Sequence, residues 1–189
     1  MNKNFNLLLA GQSVSQIGDK FHMIALAFWV LQTTGSSAKM GAVLAASLIP
    51  SLIIGFFSGV IIDRYHRKTI IVGTDLIRGC ILIVFAWLFF KDMMTFDRII
   101  LMQVLLSINA AFFDPAIPAV IPGIVSKENL ALANSRHQFV NSFSTIAGAF
   151  LGGIVVARFG FLPVFVINAA SFLISAGFEC FIDIPGPAD

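Results

Sequence analysis

Asp19, Lys20 and His22 stand within four positions of one another inside an otherwise apolar run. An ionisable group in hydrocarbon costs about 3 kcal/mol on insertion scales, so such side chains face a cavity or a partner. In that setting a carboxyl can take up and release a proton. Asp19 is read as a proton-binding carboxylate tuned by burial and by Lys20 or His22. The competing reading is a structural ion pair, or a position nearer the membrane interface. Asn109, Asn141 and Asn168 place lone polar groups in three further apolar runs. They either line a cavity or hydrogen-bond across helices.

A second group of residues could move rather than react. Ser51, Gly55, Gly59 and Asp63 are spaced by four and share one helix face, three of them small. That face lets another helix approach closely, as a moving interface or as static packing. It ends in Asp63-Arg64-Tyr65-His66-Arg67-Lys68, four charges in six residues. Asp75 and Arg78 are one turn apart and can pair with each other or with Asp63, Arg64 or Arg67. Asp114 is a plausible partner for Arg64 or Arg67. These residues read as a salt-bridge network, with conformational gating as its sharper form. Gly148, Gly152 and Gly153, with Ser144 a turn earlier, make a second small stripe. Glu179 and Asp183 read as interface residues with no special role.

The elements that must hold these residues are long and apolar. The chain is 58% hydrophobic and 12% charged, where a soluble domain carries about a quarter charged residues. Continuous runs rule out the alternating pattern of a β-barrel. Six all-α transmembrane spans are expected, near 7–32, 38–62, 69–90, 99–121, 135–157 and 162–182, in one domain over 1–189. Each is long enough for ~30 Å of hydrocarbon. A short amphipathic helix is read over 126–134, and Pro185-Gly186-Pro187 ends the last span. The first run has no small-x-small cleavage site and is read as a retained helix rather than a signal peptide.

Six spans place both termini on one side. Lys3, Arg64, Arg67, Lys68, Lys127 and Arg136 fall there, against Lys39, Lys91, Arg98 and Arg158 opposite, six to four. The positive-inside rule makes the richer side, with both termini, cytoplasmic. The expected location is the cell membrane, with the lipid bilayer as a partner. Net charge of +2 gives no argument for nucleic acid. Cys80 and Cys180 read as small packing residues. No HExxH, GxSxG, Walker loop or metal-spaced Cys/His cluster is present, so no enzyme activity, metal or cofactor is expected. Without an ATP site, any solute movement would draw on an ion gradient or on substrate flow.

Gly59-x-x-x-Asp63-Arg64-x-x-Arg67-Lys68 resembles the loop signature between helices two and three of the major facilitator superfamily, with His66 where that signature has Gly. The Gly148–Gly153 stripe resembles the antiporter signature Gly-Pro-x-x-Gly-Gly, with Ala149 in place of Pro. Gln16-Ile17-Gly18-Asp19, Asp75-Leu76-Ile77-Arg78, Phe113-Asp114-Pro115-Ala116 and Leu132-Ala133-Asn134-Ser135 extend the likeness over nearly the whole chain. Together they are similar to the drug:proton antiporter branch that contains macrolide-efflux-type proteins. The resemblance implies two three-helix inverted repeats forming half of a twelve-helix fold. It implies Asp63, Arg64 and Arg67 as an inner latch, Asp114 as their partner and Asp19 as proton carrier. It further implies alternating-access export of a small lipophilic compound around a midplane site. The chain is then expected to be an N-terminal half that needs a second six-helix half, in the same or a separate chain. Alone it is expected not to transport.

Overall fold

The computed structural model describes residues 2–184, with Asp63 described by its backbone alone. Six long helices carry the chain: α1 (Lys3–Thr34), α2 (Ser37–Arg64), α3 (Arg67–Phe90), α4 (Phe96–Ile124), α5 (Leu130–Phe159) and α6 (Leu162–Cys180). A 3₁₀ turn, Lys127–Asn129, leads directly into α5. The expected separate amphipathic helix over 126–134 is therefore this turn followed by the first turn of α5. Among the described residues there is no strand.

Side-chain caps mark three helix starts. Asn2, Ser36 and Thr95 accept from the backbone N–H of Phe5, Lys39 and Arg98, opening α1, α2 and α4. These are short polar side chains that satisfy an otherwise orphaned donor. Gly35 closes α1 in the left-handed region at φ 61°, where a Cβ would be strained. Pro115, Pro118 and Pro122 all lie inside α4, which nonetheless runs on to Ile124. Proline is tolerated in membrane helices where neighbours re-satisfy the backbone. Separately, the Arg67 guanidinium of α3 donates to the Ala119 carbonyl of α4 at 2.7 Å, a carbonyl that none of the three prolines frees.

Five helices, α2 to α6, are long and apolar enough to cross a membrane by length and composition. α1 has the length, 32 residues or about 48 Å. Its apolarity is interrupted by Gln16, Asp19, Lys20 and His22.

Two apolar clusters sit at opposite ends of the bundle. One joins Phe5 and Leu8 of α1 to Ile62, Ile71, Ile121, Ile124 and Ile182. It gathers the start of α1, the α2–α3 and α4–α5 connections and the end of α6. Asn2 donates to the Ile124 carbonyl at 2.5 Å, and Asn4 to the Asp183 carbonyl at 3.0 Å, at this same end. The other cluster joins Leu26 and Val30 to Val43, Phe85, Ile99, Met102 and Phe165. Between them runs a belt of buried polar side chains, including Gln12, His22, Asp75, Arg78, Gln103, Asn168 and Glu179.

The helices pair selectively. α1 packs on α5 and α6, α4 packs on α2 and α3, and α3 packs on α6. α2 and α5 are the least covered, with Phe56 86% and Ile146 74% exposed.

Candidate functional site

A cleft opens in the polar belt. One lobe, about 360 Å³, is lined by Gln12, Gln16, Phe113, Ile117, His137 and Asn141. The other, about 200 Å³, is lined by His22, Ser47, Ser51, Gln103 and Ser107. Asp19, Lys20, Arg78, Ala110, Asp114 and Phe172 line both lobes. Two carboxylates and two cations thus stand where the lobes meet.

α1 brings its charges there because α5 comes unusually close. A Cβ on Gly148 would lie 2.7 Å from the Lys20 Cβ and 2.8 Å from the Ile17 carbonyl. One on Gly152 would lie 2.8 Å from the Phe21 carbonyl. Both positions therefore exclude any side chain, and the pair forms a seat for the Asp19–Phe21 turn. On its other flank α1 meets α6, where a Cβ on Gly18 would fall 2.6 Å from the Asn168 Oδ1. Gly153 meets nothing within 4 Å.

Arg78 is the most connected charge. It is 6% exposed. Its Nη1 lies 3.8 Å from the Asp75 Oδ1, its Nη2 3.9 Å from the Asp114 Oδ1. The guanidinium packs over Phe113, 4.4 Å to the ring centroid, and over Phe172 at 5.3 Å. Aromatic faces stabilise a desolvated guanidinium by about 2 kcal/mol. The Asp114 side chain is 72% exposed into the cleft, whereas Asp75 is fully buried.

This corrects one expected pairing. Asp114 meets Arg78, not Arg64 or Arg67. Arg67 reaches Ala119 instead, five residues further along α4, and five residues is about 7.5 Å of helix rise. Arg64, Tyr65 and His66 are exposed and Lys68 half-exposed, and the Asp63 side chain lies outside the described residues. Asp75 and Arg78 are brought together within α3.

The polar candidates separate. Asn141 lines the cleft. Asn168 is fully buried and its Oδ1 accepts from the Ser171 hydroxyl at 3.1 Å. Asn109 is buried with its Oδ1 unpartnered. His22 is buried against Phe165, centroids 5.2 Å apart, with neither ring nitrogen hydrogen-bonded. Ser51 donates its backbone N–H to the Ser107 hydroxyl of α4 at 3.0 Å. Gly55 and Gly59 lie on the same face of α2, and a Cβ at either meets nothing within 4 Å.

Several residues differ from their expected settings. Glu179 is completely buried rather than interfacial, accepting from the Gln12 Nε2 at 3.4 Å. It lies on the face of α6 that packs against α1 and α3. Cys80 and Cys180 are free and exposed rather than core residues, since their side chains leave α3 and α6 on outer faces. Gln12 and His137 join the site with no motif to flag them, whereas Gln16, Phe113 and Phe172 stand in stretches that carry the family likeness, Gln16–Asp19, Phe113–Ala116 and Ala170–Phe172, but have no expected role at the site. For Gln12 a further signal was the four-residue spacing of Gln12, Gln16 and Lys20 along α1. Among the described residues, no three His, Cys, Asp or Glu side chains could hold a metal ion.

Comparison with known proteins places this geometry. The chain is 30% identical over 178 residues to the uncharacterized MFS-type transporter YfiS of Bacillus subtilis, covering 92% of this chain and 41% of that protein. It is 27% identical to macrolide efflux protein A of Streptococcus pyogenes, covering 98% of this chain and 46% of that protein. It is 23% identical to the multidrug efflux pump Tap of Mycobacterium bovis, covering 89% and 42%. The chain therefore spans less than half the length of these relatives. Among solved structures, an auto-inhibited POT family peptide transporter superposes on the whole chain with TM-score 0.82 at 13% identity, the match covering 39% of that protein. At that identity the likeness is one of fold. The sequence profile of the Major Facilitator Superfamily matches residues 8–188. With that match, five apolar spans and a charged cleft between them, this chain belongs to the Major Facilitator Superfamily, a family of multi-pass membrane transporters rather than enzymes.

Proposed function

We propose that this chain is one six-helix half of a secondary transporter that exports small lipophilic compounds in exchange for protons by alternating access. The observation that carries the reading is the cleft, where Asp19, Lys20, Arg78 and Asp114 meet at the junction of two lobes. The cleft is flanked by two helices, α2 and α5, that bury little within the chain. A second half seated on α2 and α5 would wall the cleft and cover Gly55 and Gly59. The relatives, about twice as long, support such a half in the same or a separate chain.

The packing supports two inverted three-helix repeats. Exchanging α1 for α4, α2 for α5 and α3 for α6 maps each major contact onto another. The α1–α5 pair becomes α4–α2, α1–α6 becomes α4–α3, and α3–α6 maps onto itself. The same exchange makes α1 the counterpart of α4, which supports α1 as a sixth crossing. Its charges are then a functional interruption of a span. The gathering of Lys3, Arg64, Arg67, Lys68 and Lys127 toward one end supports a cytoplasmic placement of that end and of both termini.

Asp19 is assigned as the proton carrier, with Lys20 as its adjacent cation. Arg78 and Asp114, and the Asp63–Lys68 loop, are assigned to gating. Phe113 and Phe172 give the cleft aromatic walls suited to a lipophilic compound, and the efflux relatives named above favour export. The test is to express the chain with and without a six-helix partner and measure drug accumulation in cells. Lower accumulation only with the partner supports the reading. Equal accumulation in both, with the chain monomeric in detergent, favours a non-transporting membrane partner instead.

A further inference from the structure

We propose that Glu179 is a second proton-binding group, a carboxyl kept protonated between α1, α3 and α6 that exchanges its proton with the cleft past the Gln12 side chain. The proposal deepens the proton coupling put forward above and relies on that reading only for its use in transport.

A count of charges leads to it. Asp75, Asp114 and Glu179 are three carboxyls around Arg78, and the remaining charges of the cleft, Asp19 and Lys20, stand on the Asp114 side of it. Arg78 is engaged by Asp75 at 3.8 Å and by Asp114 at 3.9 Å. No cation lies within ion-pair distance of Glu179 among the described residues. Glu179 is completely buried, and its one hydrogen bond is the 3.4 Å contact from the uncharged Gln12 amide. Its second oxygen has no partner at all. A buried carboxylate without a counter-charge costs far more than a neutral carboxylic acid in the same place.

The groups that act on Glu179 from the packed helices are few. Asp75 and Arg78 face it from α3, Gln12 from α1, and Ser175 lies one turn back on α6. Asp75 is itself completely buried with neither oxygen hydrogen-bonded, so it relies on Arg78 for compensation.

The route to water is short. Gln12 and Gln16 both line the cleft, and the Gln16 Nε2 donates to the Gln12 Oε1 at 3.0 Å. The Gln12 side chain separates Glu179 from that space. Its rotation would admit a cleft water. The Glu179 O–H bond then breaks, the proton passes to this water, and the hydronium leaves through the cleft. The carboxylate left behind gains its counter-charge when Arg78 gives up Asp114 and turns inward. Occupancy of the cleft near Asp114 and the proton on Glu179 are thereby linked through one guanidinium.

Glu128 and Glu179 are the two glutamates of the chain, and Glu128 is exposed. This permits a direct test by NMR on the 189-residue chain in lipid nanodiscs, isotope-labelled at the glutamate carboxyl carbon. At about pH 7, well above the ordinary glutamate value near 4.3, one protonated and one ionised carboxyl are expected. Two ionised signals would overturn the proposal, and that outcome needs no variant. Glu179→Gln should remove the protonated signal. In Asp114→Asn, Arg78 is free to serve the Asp75–Glu179 pair, and the protonated signal should titrate at lower pH than in the unsubstituted chain. An unchanged midpoint would break the link to the cleft. No transport is read in this measurement, so its failure leaves the flux assay untouched, and the reverse also holds.

Discussion

Arg78 reaches from α3 to Asp114 on α4, Nη2 to Oδ1 3.9 Å, while the same guanidinium holds the buried Asp75 at 3.8 Å. One partner faces the cleft and the other faces the core. The two contacts are therefore unequal in energy.

Asp114→Asn should cost little stability, within about 1 kcal/mol, because an exposed ion pair contributes that much or less. Arg78→Gln should cost about 3 kcal/mol or more, because it strands Asp75 in the core without a counter-charge. Thermal unfolding in detergent separates the two. Adding Asp75→Asn to Arg78→Gln should recover much of the loss, and a double-mutant cycle measures the coupling. Similar losses for Asp114→Asn and Arg78→Gln would show that Asp75 does not depend on Arg78.

Gly148→Ala should destabilise the chain by about 1–3 kcal/mol, the usual range for overpacking. The new methyl would meet the Lys20 Cβ and the Ile17 carbonyl, and a backbone atom cannot move aside as a side chain can. Gly153→Ala, five positions along α5, meets open space and should be neutral. Melting temperatures of the two variants, compared side by side, check this.

Gly55→Leu and Gly59→Leu should leave the stability of this chain unchanged, since nothing lies within 4 Å of either position. In a protein completed by a second half, the same variants should lower drug export. Loss of stability in the isolated chain would mean that this face already packs within it.

The spans were legible because apolar runs near twenty residues need no tertiary information. The starts of α1, α2 and α4 are capped by Asn2, Ser36 and Thr95, local signals that the expected span starts at 7, 38 and 99 did not use. What could not be read was depth and azimuth. Asp114 and Ala119 are both near the end of one span, yet only Ala119 lies level with Arg67. Glu179, beside the end of α6, looked interfacial until its direction toward Gln12 was known. Cys80 and Cys180 occupy apolar runs like any core residue, and only the helix rotation turns them outward. Asp19 and Lys20 were legible as unusual, but their meeting with Arg78 and Asp114 depends on how α1, α3 and α4 pack.

Cysteine-accessibility mapping should find positions 64 and 127 on one side of the membrane and positions 39 and 158 on the other. These fall at the α2, α4–α5, α2-start and α5-end boundaries. Labelling of 64 and 127 from opposite sides would break the pairing of helix ends described here.

The proton assignment is tested most directly by pH-gradient-driven drug flux in proteoliposomes holding this chain with a second six-helix half. Asp19→Asn should abolish the gradient-driven component, and Asp63→Asn should only slow it. Undiminished gradient-driven flux in Asp19→Asn would contradict Asp19 as the proton carrier.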